Sequence, residues 1–280
     1  MNNKLITFFT RTPLHVGAGN SVGVVDSPIM RERHTQTPII PGSSLKGVLA
    51  DLWNDCKDEN KKRAGELKRL FGSDNDKDAH SGTLLIGEAR VLAFPLRSAK
   101  GGFAWITCPH ALKKFECDTG KNLGDIPEPK EETCVIPNLC KVAWNGTDVI
   151  LEEYRFKKDG EINSKITETL KSLCDDTTWE IASRLVIVSD EIFSYFVANA
   201  CEVVTRIKIN DETGTVDEHH LFNQEQVPSE TLFYAMVGTA KAKDANDLEE
   251  LKKKIETCGK VLQIGGDATI GLGFCSVKFA

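Results

Sequence analysis

The chain has 280 residues, of which 40% are hydrophobic and 27% charged, the balance of a globular protein rather than a disordered or fibrous one. No apolar run is long enough to span a bilayer, and the opening MNNKLITFF lacks a signal-peptide cleavage site, so the cytoplasm is the expected location and no membrane is expected as a partner. The formal net charge of −6 disfavours a uniformly basic nucleic-acid binder, and nine cysteines without a C-x-x-C pair disfavour a zinc site or a disulfide framework.

The charge is unevenly spread. Over residues 1–50, Lys4, Arg11, Arg31, Arg33 and Lys46 stand against only Asp26 and Glu32. A basic face on an acidic body is compatible with gripping RNA phosphates.

Residues 4–10, rich in β-branched and aromatic types, predict a buried strand. The next thirty residues are dense in Gly, Pro and polar types and predict a long functional loop or short hairpin. Ser43 and Ser44 are expected to cap a helix over 45–56, with Leu45, Val48, Leu49 and Leu52 at helical spacing. Residues 57–81 read as a charged, exposed loop. Two strands follow, GTLLIGEARVLAFPL and GGFAWITCP, joined by a turn at 98–102. The stretch 113–180 reads as an insertion, with a helix near 163–174 and an irregular acidic beginning.

From residue 183 a strand and a short helix are expected, then a hairpin over 201–224 and a strand in ETLFYAMVGTA. An amphipathic helix should bury Leu248, Leu251, Ile255 and Cys258 and end at Gly259. A strand, a glycine-rich loop and a last strand close the chain. Strand–helix–strand units at both ends predict an α+β fold with a ferredoxin-like core in one elaborated domain over 1–280.

Four segments carry chemistry, each with two readings. The turn and helix start PIIPGSSLKGVL offers open N–H groups, two hydroxyls and Lys46 to a phosphate, or is an ordinary cap before a solvated lysine. In QIGGDATIGLGF, Gly265, Gly266, Gly271 and Gly273 permit close approach of a nucleic acid or simply a tight turn. Asp26 lies near Arg31, Arg33, His15 and His34 in sequence. It suits Mg²⁺ ligation or proton handling in phosphodiester cleavage, or a solvated turn. The hairpin 201–224, with Arg206 and Lys208 before its turn, is a wedge between bases or an edge packed on the core.

In order, TPLHVGAG, VVDSPIMRERHTQTPIIPGSSLKGVL, GTLLIGEARVLAFPLRSAKGGFAWITCP, VPSETLFYAMV and LQIGGDATIGLGF closely resemble the CRISPR-associated RAMP proteins, above all the backbone subunits of type III-B effector complexes. The resemblance implies a modified RNA-recognition-type palm, a fingers insertion (113–180) and a protruding β-hairpin thumb (201–224). It implies copies stacked helically along a CRISPR guide RNA, with other subunits of the complex and a single-stranded target RNA as partners. Asp26 maps to the residue required for target cleavage, which depends on divalent metal (Mg or Mn) and on no organic cofactor. That cleavage resembles 2′-hydroxyl attack leaving a cyclic phosphate. His15 and Glu230 map near the cutting centre, and Ser43, Ser44 and Lys46 to the guide-gripping helix start. Two features depart from the pattern: Leu272 stands where the family carries a basic residue, and five cysteines lie between 108 and 174. A guide-binding scaffold without catalysis is the second reading. The third is a repeat-processing nuclease, metal-independent and centred on His15.

Overall fold

The computed structural model describes residues 2–19, 23–59, 61–73, 79–209, 216–239 and 246–279, without the side chains of residue 2 and of 208–209 and 216–220. Strand β1 (Asn2–Thr10) forms where expected and lies between β12 (Leu232–Thr239) and β14 (Phe274–Phe279), antiparallel to both. Its side chains alternate between two cores. Ile6 and Phe8 enter one, Leu5 and Phe9 the other. Strand β12 does the same, with Phe233, Ala235 and Val237 opposite Leu232 and Tyr234. Burial on both faces explains why neither segment shows a polar–apolar alternation.

Helices cover each face. Helix α1 (Gly42–Asp51), α2 (Gly65–Phe71), α6 (Asp190–Asn199) and α7 (Asn246–Thr257) pack on the first core. Helix α3 (Pro109–Thr119), α4 (Ser164–Lys171) and α5 (Ile181–Arg184) pack on the second. There Trp179 stacks edge-on against Phe9 and Trp105 at 5.2 and 4.7 Å, a favoured aromatic geometry.

Strand β4 (Ala89–Ser98) is shared between two halves of the sheet. Its beginning pairs with β12 and with β2 (Ile39–Ile40), its end with β5 (Gly102–Thr107). Strand β3 (Leu84–Ile86) is separate from β4 and pairs with β12. From β5 the sheet continues through β9 (Leu185–Ile187), β6 (Thr133–Ile136), β8 (Tyr154–Glu161) and β7 (Asp148–Leu151). Strand β7 returns to β4 at Ser98↔Leu151, closing this half on itself. On the other side the order runs β4, β12, β1, β14 and then β13 (Val261–Gln263). The hairpin β10 (Glu202–Ile209) and β11 (Val216–Gln226) forms its own two-stranded sheet.

Four expectations need correction. Residues 113–180 begin inside α3, are irregular over 120–132, and then contribute three regular strands and α4 to the fold. The "loop" 57–81 contains α2, whose Leu67, Leu70 and Phe71 are buried, with Phe71 against Trp53 at 5.5 Å; its tip 74–78 is outside the described residues. Ser43 and Ser44 do not cap α1. Pro41 occupies that position and the helix starts at Gly42, because α1 abuts β3 so closely that a Cβ there would stand 2.7 Å from the Ile86 carbonyl. Cys258 is exposed rather than on the buried face of α7.

The glycine loop ties the C-terminal strands to the segment after β1. The Gly273 N–H donates to the Pro13 carbonyl at 2.9 Å, and the Gly273 carbonyl accepts from Ile264 N–H at 2.9 Å. Gly273 has φ +80°, and a Cβ would lie 1.9 Å from the Ile264 oxygen. Gly273→Ala should therefore destabilise the protein by more than the roughly 1–2 kcal/mol of a left-handed L-residue. Urea unfolding checks this, and an unchanged midpoint would contradict it.

Candidate nucleic-acid interface

The segment between β1 and β2 has little regular structure, yet it is anchored at several points on β11. Leu14 and Val227 exchange backbone hydrogen bonds at 2.8 Å, and Ser27 N–H donates to Asn223 O at 3.0 Å while Ser27 O accepts from Glu225 N–H at 3.0 Å. Asp26 is exposed, and its Oδ2 accepts from Asn223 N–H at 2.8 Å. An irregular stretch thereby presents one carboxylate at a fixed place on the hairpin's base.

Glu225, almost buried at 9% exposure, supports this arrangement from inside. Its carboxylate accepts from Ile29 N–H at 3.0 Å and from Arg31 Nη2 at 2.6 Å. Both side chains of the pair are shielded, at 12% and 13% exposure. Arg31 Nη1 donates to the carbonyls of Gln36, at 2.5 Å, and Val197, at 2.9 Å. Its guanidinium is thus committed to the protein and organises the loop, whereas the sequence placed it on RNA. Arg33 is exposed on the adjoining turn. In that turn burial works to raise the Glu32 carboxyl, but Thr35, Lys114 and His34 outweigh it and hold the group below its usual value.

His15 is buried beneath Asp26's neighbour. Its Nδ1 lies 2.7 Å from the Glu225 carbonyl and its Nε2 3.3 Å from Ser27 Oγ. Gly17 leaves room for the ring, since a Cβ there would come within 2.9 Å of Nε2. On the other side, Gly266 N–H donates to the His15 carbonyl at 2.9 Å, and at Gly265 (φ +81°) a Cβ would sit 2.2 Å from that oxygen. Gly265 and Gly273 are therefore required by close packing. Gly271 has open space around it at φ +87°.

The hairpin joins the same cluster. Arg206 Nε donates to Gln224 Oε1 at 2.5 Å, and Gln224 Nε2 donates to Asp267 in the glycine loop at 2.6 Å. Val203, Ile207, Leu221 and Phe222 remain 41–65% exposed along the ribbon, an apolar surface that a packed edge hairpin would have covered. The side chain of Lys208 and the tip 210–215 lie outside the described residues. Ser43 is exposed and Ser44 and Lys46 half-buried in the first turn of α1, where no side chain caps the helix.

Asn223, Gln224, Glu225 and Asp267 were missed from sequence. The signal was present as NQEQ at 223–226, a polar run at the end of a strand, where three of the four residues prove to be buried.

Among the described residues no three His, Cys, Asp or Glu side chains converge to hold a metal. Asp26 offers a single carboxylate, a donor set that suits Mg²⁺, which keeps water and takes phosphate oxygens as ligands. All nine cysteines are unpaired, and burial pushes the Cys134, Cys201 and Cys275 thiols up to about 12, far from the thiolate form. No helix among the described residues is long and apolar enough to cross a membrane.

Glu230 is not brought to Asp26. It sits with φ +69° on the turn between β11 and β12, its carbonyl accepts from Trp105 Nε1 at 2.7 Å, and its carboxylate faces Thr178 Oγ1 at 3.4 Å. Burial and the neighbouring Asp176 raise its carboxyl above the usual value, against the Thr178 hydrogen bond.

The model of the RAMP superfamily matches residues 7–276. The Cmr endoribonuclease Cmr4 of the Pyrococcus furiosus CRISPR system is 38% identical, over 99% of this chain and 95% of its own length. A crystal structure of oligomeric Cmr4 from the same organism superimposes with a TM-score of 0.76 at 29% identity, covering 100% of this chain and 98% of that one. A chain of the type III-B Cmr-beta complex bound to cognate target RNA has a TM-score of 0.73, at 19% identity and with 100% and 97% coverage. At that identity it speaks for the fold alone.

One titration follows from the surroundings of Glu230. A carboxyl raised on folding contributes stability below its unfolded value, near 4.5, and loses that contribution as pH rises through the folded value. Glu230→Gln should match wild type in melting temperature near pH 4 and exceed it at pH 8. A gap that closes as pH rises would contradict this.

Proposed function

The chain belongs to the RAMP superfamily, and from its full-length likeness to a Cmr endoribonuclease we propose that it is the RNA-binding backbone subunit of a type III-B CRISPR effector complex and cleaves target RNA paired with the guide. Its partners are guide RNA, single-stranded target RNA, further copies of itself stacked along the guide, and the other subunits of the complex. It acts in the cytoplasm as part of antiviral defence. The antiparallel order β14-β1-β12-β4, with crossovers through α1 and α7, supports a ferredoxin-like, RNA-recognition-type palm. We take 113–180 as fingers and the β10–β11 hairpin as the thumb, within a single domain over 1–280.

One observation carries the catalytic reading. Asp26 is exposed and held by Asn223 N–H at the base of a ribbon with exposed apolar side chains. A ribbon of that kind inserts between bases and unstacks them, which frees a backbone phosphate beside the carboxylate. In the step we assign, the 2′-oxygen bonds to phosphorus, the bond from phosphorus to the 5′-oxygen breaks, and a 2′,3′-cyclic phosphate and a 5′-hydroxyl result. Asp26 accepts the 2′-hydroxyl proton and solvent returns one to the leaving oxygen. A divalent ion at Asp26, Mg²⁺ or Mn²⁺, supplies neutralisation of phosphate charge when bound. His15 acts as a positioning residue, holding Ser27 and Glu225 around Asp26. Ser43, Ser44 and Lys46 grip a guide phosphate at the start of α1, with Arg33, Arg206 and Lys208 as further phosphate contacts. Gly265, Gly266 and Gly273 shape the loop behind His15, and Gly271 lets the loop's outer side approach RNA.

The test uses the guide-loaded complex and a labelled complementary RNA. Asp26→Asn should bind target as wild type does and cut at least about 100-fold more slowly, the lower range for loss of a proton-transfer group. Undiminished cutting would leave a guide-binding scaffold whose cleavage belongs elsewhere. Cutting that persists in EDTA and needs His15 would instead mark a metal-independent processing nuclease.

A further inference from the structure

A cavity of about 220 Å³ opens beside the Glu32–Gln36 turn, where α3 and α6 meet β4 and β12. Its floor is apolar, with Ile39, Val91, Phe193 and Tyr234 all 8% exposed or less. Its mouth sets Glu32 and Asp190 against Arg90 and Lys114, so the formal charges cancel. Arg90 Nε is fully buried and lies 3.5 Å from the carboxylates of Glu32 and Glu88, so it belongs to the wall of the cavity and is not offered to an occupant.

These features select a chemistry. Balanced charge disfavours a phosphate or a free carboxylate, and the apolar floor favours a flat hydrophobic body. The volume is below the roughly 300–1,000 Å³ of pockets for drug-sized ligands, which suits one ring system rather than a whole nucleotide. A neutral planar ring with apolar faces and a polar edge describes a nucleobase. The cavity also adjoins the cleavage loop. Arg31 bonds the carbonyls of Gln36, in the turn that forms one wall, and of Val197, on α6. The same guanidinium pairs with Glu225, which supports Asp26.

We propose that this cavity receives a nucleobase from an RNA strand passing Asp26, with the faces of the base on the apolar floor and its polar edge at the charged mouth. The proposal rests on the RNA-handling reading above, but its test does not involve cleavage. Adenosine, guanosine, cytidine and uridine, with ribose 5-phosphate as a control, are titrated into the full chain by calorimetry. The comparison is with Ser194→Trp, which introduces a ring into the cavity lining on α6; circular dichroism and melting check its fold. Ala111→Leu, a smaller plug on α3, replaces it if it fails to fold. At least one nucleoside should bind saturably, the sugar phosphate should not, and the plug should weaken binding about tenfold or more, the scale of one lost base stack.

No saturable nucleoside binding, or equal affinity in plugged and unplugged chains, would overturn the proposal. So would a plug that leaves nucleoside binding intact and instead changes sedimentation, because the cavity would then hold a side chain of a second copy. Any of these results would leave the Asp26 test standing, and failure of the Asp26 test would leave nucleoside binding to be judged separately.

Discussion

The arrangement around Asp26 depends on one shielded ion pair, Arg31 with Glu225 at 2.6 Å. The segment between β1 and β2 is long and poor in regular structure, and ordering each backbone residue costs about 1–2 kcal/mol. Isolated bridges to β11 at Leu14 and Ser27 recover part of that cost. The pair adds a link that is severe to break from one side, since removing one partner of a buried pair costs roughly 3–5 kcal/mol. Glu225 bonds Ile29 N–H and Arg31 directly and His15 through its carbonyl, so three parts of the loop meet one residue of the hairpin.

This geometry makes the hairpin a structural part of the site, beside the base-separating role proposed for it. Asp26 is held by Asn223 of β11, and Gln224 connects the same strand to Arg206 and to Asp267 in the glycine loop. The carboxylate and the residue after it are thus bonded directly to the ribbon's backbone. The glycine loop closes the arrangement from behind His15, which accounts for glycines at 265 and 273, where any Cβ meets a carbonyl oxygen.

Much of the fold was legible in the sequence because its central strands are apolar on both faces and its longer helices carry apolar spacing. β1, β12, α1 and α7 stood out for that reason. Helix α2 escaped because seven residues with Glu66, Lys68 and Arg69 between the buried positions look like charged loop. Strands β6, β7 and β8 escaped because β8 is mostly exposed and pairs in parallel with β6, and because the β7–β8 hairpin turns at Glu152 and Glu153 without the Asn-Gly or Asp-Gly that marks such a turn. At the site, Asp26 and His15 were singled out by resemblance, and the structure sets the His15 ring against Ser27, the residue after Asp26. Arg31 was assigned to RNA, and its pairing with Glu225 went unseen because that partner lies 194 residues away, where no local pattern reveals it. Glu230 was grouped with Asp26 by resemblance, while the chain turns it toward Thr178.

The most direct measurement of the ion pair's role is a double-mutant cycle between Arg31→Met and Glu225→Gln, read as target cleavage rate in the guide-loaded complex. If the pair positions Asp26, each single variant slows cleavage and the double variant is no slower than the worse of the two. Losses that multiply, or wild-type cleavage by Arg31→Met, would show that Asp26 is held in place without it.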